Sequence, residues 1–477
     1  MSFLKRLFTA SQLPFIMLTG SLAVWLVGLP LFQDGMFMDG TQYAAVARNL
    51  ARGVGTFWFP VLAKNSVGGL DTFMEHPPLV FFLQSLFFKV FGLHSIYPER
   101  IYCLTTLLLT AFFINLLWRK AQLAKPELKA LGWLPILLWI IMPVVFWAYS
   151  NNIQENTMGL FTTAAVFFLW NAAESHTPLK TPWLYIAVIC IVDAFFSKGV
   201  PGLFPLAFFP IYFVTQKGAS AKNTIIATGA MLMLLGAALF LVLLNPEAKK
   251  ALHIWFYNRM LQRIQNDPVE ASHFHILKGL FLEQLPSLIL VFLLLLLFHF
   301  KKISNRVQKK TFTLFLLLGF SASLPLMLTL VQRNFYFTPA LPLFAIGWAL
   351  LVAEGVQHLT IQLNSTYLKL GLVITSTAFI TGTGFTIFKA GTAKRDKEML
   401  KDVYTLQKLL PENSTVSVPS EIMWNNWSFR CYMMRYNSVS FTTEDTCKYF
   451  VGYKGGKVPE DCQTQTTMNQ FTLCKRP

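Results

Sequence analysis

About eleven apolar runs follow one another along this chain, and a chain built that way can fold only as a bundle of membrane helices. They occupy residues 13–32, 101–117, 131–148, 157–170, 183–196, 202–214, 224–244, 285–300, 312–331, 339–353 and 368–388. The fourth, fifth, sixth and tenth fall short of the roughly 20 residues that a span needs. Charged residues make up 13% of the 477, too few to cover the surface of a soluble protein of this size. The formal net charge of +17 suggests nucleic acid in a soluble protein. Here basic residues in the cytoplasmic loops account for it, and no nucleic-acid-binding motif is present.

Lys and Arg set the orientation. With the N-terminus inside, the inner segments hold Lys5, Arg6, Arg119, Lys120, Lys125, Lys129, Lys180, Lys217, Lys222, Lys301, Lys302, Arg306, Lys309, Lys310 and Lys369. The short outer loops hold only Lys198 and Arg333. That is the positive-inside bias. Two long outer loops result, 33–100 and 245–284. Within the first, residues 40–52 have helical spacing and 77–92 open on Pro77, and both suit helices lying at the interface.

After Lys389 the composition changes. Residues 394–410 read as a charged helix, and 416–418, 438–441, 449–453 and 471–474 as short strands. The expected organisation is therefore a membrane domain at 1–389 and a small extracytoplasmic α/β domain at 390–477. Cys431, Cys447, Cys462 and Cys474 in that exported domain suggest two disulfides, with three pairings open. Cys103 and Cys190 fall in spans and read as packing residues.

On this topology Asp39, Glu75, His76, Glu155, Lys198, Arg259, His273 and Arg333 all fall on the outer side. Each has a structural alternative. Asp39 suits an N-cap, with Gln42 completing a capping box, or a carboxylate that deprotonates or positions an acceptor hydroxyl. Glu75-His76-Pro77-Pro78 suits a solvated turn, or a metal ligand or acid/base group beside a phosphate-binding His. Lys198, flanked by Gly199 and Pro201, suits a snorkelling side chain or a phosphate site at a membrane break. Arg333 with Tyr336 suits interface anchoring. Glu155, in 151–156, reads as part of a solvated turn.

The order Met38-Asp39-Gly40-Thr41-Gln42-Tyr43, Glu75-His76-Pro77-Pro78 and Phe88-Lys89-Val90-Phe91-Gly92 resembles GT-C glycosyltransferases of the protein O-mannosyltransferase type. Their subgroup includes bacterial aminoarabinose transferases that modify lipid A. The turns Ser197-Lys198-Gly199-Val200-Pro201 and Tyr336-Phe337-Thr338-Pro339 resemble further segments of that family. The resemblance implies a mainly α, polytopic fold and an inverting transfer from a polyprenyl-phosphate sugar donor to a lipid, glycan or protein acceptor of the cell envelope. It implies Asp39 and Glu75 as catalytic groups, and the chemistry of a departing lipid phosphate calls for His76, Lys198, Arg259 and Arg333 around it, with Glu155 and Tyr336 in support. A divalent metal at Glu75 and His273 and a bacterial inner-membrane location are implied as well. This chain departs from the family at His76, where a Lys is usual, and at Gln42, where an Arg is frequent. A transporter of lipid-linked glycan and a non-catalytic envelope scaffold are the competing readings. The sequence lacks the inverted repeats that a transporter would show, and a scaffold would not need Glu-His-Pro-Pro or a Lys at a helix break.

Overall fold

The computed structural model describes residues 11–63, 72–175, 177–216, 218–262, 270 and 272–477. Lys5, Arg6 and Lys217 lie outside them. The helices are α1 Leu13–Phe32, α2 Met38–Ala51, α3 Leu79–Phe91, α4 Pro98–Ala121, α5 Trp133–Ile140, α6 Pro143–Tyr149, α7 Glu155–Glu174, α8 Pro182–Lys198, α9 Phe208–Thr215, α10 Ala221–Leu243, α11 Pro246–Ile254, α12 His275–Phe300, α13 Lys309–Ser323, α14 Leu341–Gln362, α15 Ser365–Lys389 and α16 Lys397–Leu409. Strand β1 Thr415–Ser417 is followed by α17 Ser420–Asn425 and α18 Trp427–Tyr432. The chain ends in β2 Ser440–Thr442, β3 Tyr449–Tyr453, β4 Gln463–Thr467 and β5 Phe471–Lys475.

Every apolar run expected from sequence is helical. Among the described residues, seven helices are long and apolar enough to cross a membrane, or eight if the pair Pro126–Ile140 and Pro143–Tyr149, bent by 85°, is one span. The remaining runs, on α7, α8 and Val200–Thr215, are too short or too polar by that measure. Helix α7 shows why. Thr162 and Thr163 turn their hydroxyls back onto the Gly159 carbonyl, and nearly every side of the helix is buried. A helix enclosed by protein has no need of an apolar exterior. The segment Asn334–Gln362 is likewise enclosed, with 78% of its most apolar window buried, against 11% for α15.

The chain divides into two compact units. The first comprises residues 1–30, 104–149 and 154–388. Its helices meet closely at glycines: a Cβ on Gly355 would lie 2.4 Å from the Phe298 ring.

The second comprises residues 31–103, 150–153 and 389–477. Its sheet has the order β2-β1-β3-β5-β4, parallel across the first three strands and antiparallel beyond. A core of Leu400, Val403, Val416, Phe429, Phe441 and Phe471 lies against it. Helix α16 begins at Lys397 because Asp396 adopts a left-handed conformation (φ 49°). Strand β4, Gln-Thr-Gln-Thr-Thr, is polar and exposed at the sheet edge, so no apolar alternation announces it. Asp34 accepts hydrogen bonds from Arg100 at 3.0 Å, Tyr436 at 2.6 Å and Tyr404. Next to it Arg435 pairs with Glu99 at 2.8 Å. These charges are all but fully buried and paired with one another.

The two expected disulfides are not formed; all six cysteines are free thiols. Cys431 is buried on α18, close enough to Asp39 for the carboxylate to act on its thiol. Cys462 and Cys474 lie close enough at the β4–β5 side of the sheet for one thiol to raise the pKa of the other.

Candidate functional site

In the second unit, Asp39 lies in the first turn of α2, where a carboxylate favours the helix dipole. It is not the N-cap: Phe37 is, with no side-chain cap bond, so the capping box with Gln42 is not formed. The Asn151 side chain accepts from the Phe37 N–H at 2.9 Å. Asn152 Nδ2 donates to the Gly40 carbonyl at 2.9 Å, and its amide pairs both ways with Gln84. Gly40 is required there, since a Cβ would meet the Asn151 carbonyl oxygen at 1.9 Å. One turn further, Tyr43 Oη and His76 Nε2 share a hydrogen bond of 3.0 Å, their rings edge to face at 5.5 Å. Asp39 and the Glu75-His76 segment are thus carried by one element and its immediate neighbours. Two prolines in a row delay α3 until Leu79, with Pro78 as its N-cap.

In the first unit, Lys198 ends α8 and Glu155 opens α7, and Lys198 Nζ lies 3.3 Å from Glu155 Oε1. Each charge also sits at the helix end that favours it. Gly199 continues with φ +92°, its N–H bonded to the Phe195 carbonyl at 2.7 Å, and the Trp255 ring lies where a Cβ would be. The reading of 151–156 as a solvated turn is corrected here: Gln154, Glu155 and Asn156 are at most 1% exposed. Neither side-chain amide atom of Gln154 has a hydrogen-bond partner among the described residues, a costly arrangement for a buried amide.

Arg333 caps the 3-10 segment Asn334–Ala340, which carries Tyr336. Gln332, beside it, binds the Ile276 N–H at 2.8 Å and the His273 carbonyl at 3.0 Å, joining the 273–276 and 329–333 stretches. Glu283, unremarkable in sequence, accepts from Asn334 Nδ2 at 2.9 Å and from the Val144 N–H at 2.7 Å. Phe335 stacks on Trp147 at 5.6 Å. Arg259 lies on the wide-turned helical segment Trp255–Leu261.

Among the described residues no group of three or more His, Cys, Asp or Glu could hold a divalent metal. His273 directs Nδ1 to the Met327 carbonyl at 2.6 Å, which makes that nitrogen the protonated one.

Sequence reasoning passed over Tyr43, Asn151, Asn152 and Glu283. Tyr43 counted only as an apolar position of an interfacial helix. The asparagines looked like turn residues, and their burial depends on long-range packing against α2.

Fold and sequence together define a class, a polytopic membrane protein similar to GT-C glycosyltransferases. Residues 75–246, which include Glu75, His76, Glu155 and Lys198, match the family described as dolichyl-phosphate-mannose-protein mannosyltransferase. No curated protein matches the chain. Among solved structures it is similar to ArnT from Cupriavidus metallidurans bound to undecaprenyl phosphate, with 14% identity over 95% of this chain and 96% of that one and a TM-score of 0.65. The apo state of the same protein gives 13% identity, 95% and 96% coverage and a TM-score of 0.63. It is also similar to the archaeal oligosaccharyltransferase AglB from Archaeoglobus fulgidus in complex with an inhibitory peptide and a dolichol-phosphate. That match has 13% identity over 93% of this chain and 69% of that one and a TM-score of 0.50.

Proposed function

We propose that this protein transfers a sugar from a polyprenyl-phosphate donor to a cell-envelope acceptor, with inversion at the anomeric carbon. The supporting observation is the family match, which begins at Glu75 and takes in the buried Lys198–Glu155 pair. The likeness to a fold that holds undecaprenyl phosphate in ArnT adds to it. In this reading the acceptor oxygen attacks the anomeric carbon as the bond to the phosphate oxygen breaks. Asp39 takes the acceptor proton, and Glu75 positions the reacting groups. The departing lipid phosphate keeps the bonding electrons, and Lys198, Arg259, Arg333 and His76 stabilise its charge. Glu155 holds Lys198 until the donor arrives, and Tyr336 lines the donor side. No step is routed through a metal. Residues 1–389 carry the transfer, and 390–477 form an accessory domain outside a bacterial inner membrane. The basic inner loops support a cytoplasmic N-terminus.

The test is transfer of labelled sugar from a synthetic polyprenyl-phosphate donor by the purified protein, offered lipid A, glycan and peptide acceptors in turn. Asp39→Asn keeps the helix start, since Phe37 is the cap, yet lowers transfer by about 10²–10⁴-fold. Wild-type rates in this variant would remove Asp39 from the chemistry, and no transfer by the wild type to any acceptor would remove the function.

A further inference from the structure

A second site lies in the C-terminal sheet. The loops leaving the carboxyl ends of β1, β2 and β3, the three strands that run parallel, surround a cleft of about 470 Å³. Crevices outside the carboxyl ends of parallel strands are where open α/β sheets bind ligands. The strand ends are held in place: the Val418 N–H bonds to the Thr442 carbonyl at 2.9 Å, and the Gly456 N–H to the Tyr453 carbonyl at 2.9 Å. The lining combines an aromatic wall, Phe450 and Tyr453, with Ser420, Glu421, Asp445 and Lys457. Tyr453 is fixed from behind by Phe471, whose ring stacks on it at 5.6 Å, and its hydroxyl accepts from Asn426 at 3.3 Å. Arg476 ties down Asp445.

The chemistry selects among ligands. At the rim Glu421 and Lys457 stand beside the Asp445–Arg476 ion pair, so the charges balance and no net positive field selects a phosphate. An apolar molecule would use the aromatic wall alone and none of the polar groups around it. A rigid aromatic wall with donors and acceptors around it matches a ring that is apolar on its faces and hydroxylated at its rim. We propose that this cleft binds a neutral or amino-bearing sugar unit of a glycan. The proposal rests on the transferase reading for its biological meaning, since the sugar would belong to the acceptor, but its test needs no transfer.

Full-length protein in nanodiscs is probed by saturation-transfer NMR with the methyl glycosides of glucose, galactose, N-acetylglucosamine and glucosamine. At least one should bind in the millimolar range. Glu421→Ala and Lys457→Ala, both exposed and safe for folding, should weaken it about tenfold, and Tyr453→Ala should abolish it. Asp39→Asn should bind as the wild type does. No binding of any glycoside, or equal binding in all three cleft variants, overturns the proposal. So does loss in Asp39→Asn alone, which would place the sugar at the transfer site. Failure of the wild type to transfer sugar is a separate result and bears only on the function.

Discussion

Lys198 at the end of α8 and Glu155 at the start of α7 form an ion pair, 3.3 Å apart, with 11% and 1% of their side chains exposed. Removing either partner takes a counter-charge from the other in a low-dielectric site, at a cost of about 3–5 kcal/mol. Glu155→Gln and Lys198→Met should each lower stability by that order, while the double variant recovers most of it. Donor affinity should separate the two roles. Lys198→Met should lose lipid-phosphate binding, and the double variant should not regain it. A double variant as unstable as the sum of the singles would mean that the pair does not couple.

Tyr43 and His76 make a narrower prediction. Tyr43→Phe keeps the edge-to-face packing and deletes one hydrogen bond, at about 0.5–1.5 kcal/mol in stability. If that bond serves only the fold, kcat and donor KM stay unchanged. The expected result is a raised donor KM beside that modest loss of stability, because the lost bond sets the imidazole's orientation and tautomer.

The thiols can be mapped directly. Cys462 and Cys474 are neighbours whose thiols act on each other, while the Cys431 thiol is buried and pushed up to about 12, first by desolvation. A thiol held so far from its thiolate form reacts slowly. In protein purified without reductant, peptide mapping should find Cys462 joined to Cys474 and Cys431 unlinked. A bridge that includes Cys431 would contradict the buried placement of α18.

Much of this architecture is legible in sequence because the bilayer imposes a simple rule: apolar runs become helices, and all of those expected do. The rule says nothing of burial by protein: the threonines and asparagines of α7 look unfit for a membrane until the surrounding helices cover them. It is silent at Asn151 and Asn152 too. A pair of asparagines reads as a turn, and only packing on Gly40, more than a hundred residues away, makes them buried supports of α2. Lys198 and Glu155 were each visible as polar interruptions. Their pairing was not, because helix ends distant in sequence carry no local signature of contact. Strand β4 was missed for the opposite reason, as an exposed edge with nothing apolar to bury.

The remaining prediction concerns pH. The Lys394 ammonium is pushed down from 10.5 to about 8, first by burial and then by Arg100 and Arg395, against the pull of Asp34. Its folded value lies below its unfolded value. Between about 8 and 10.5 the unfolded chain therefore holds the extra proton, and stability rises with pH through that window. The penalty for burying the charge is fully present below the window and gone above it. Replacing the side chain by an uncharged one of similar length removes the penalty at every pH. Lys394→Met should be more stable than the wild type at neutral pH, and the difference should shrink as the pH is raised across the window. Thermal melts of the two proteins in the same detergent, stepped through that range, measure it. A constant difference, or a wild type more stable at neutral pH, would show that the ammonium is better compensated by Asp34 than its surroundings imply.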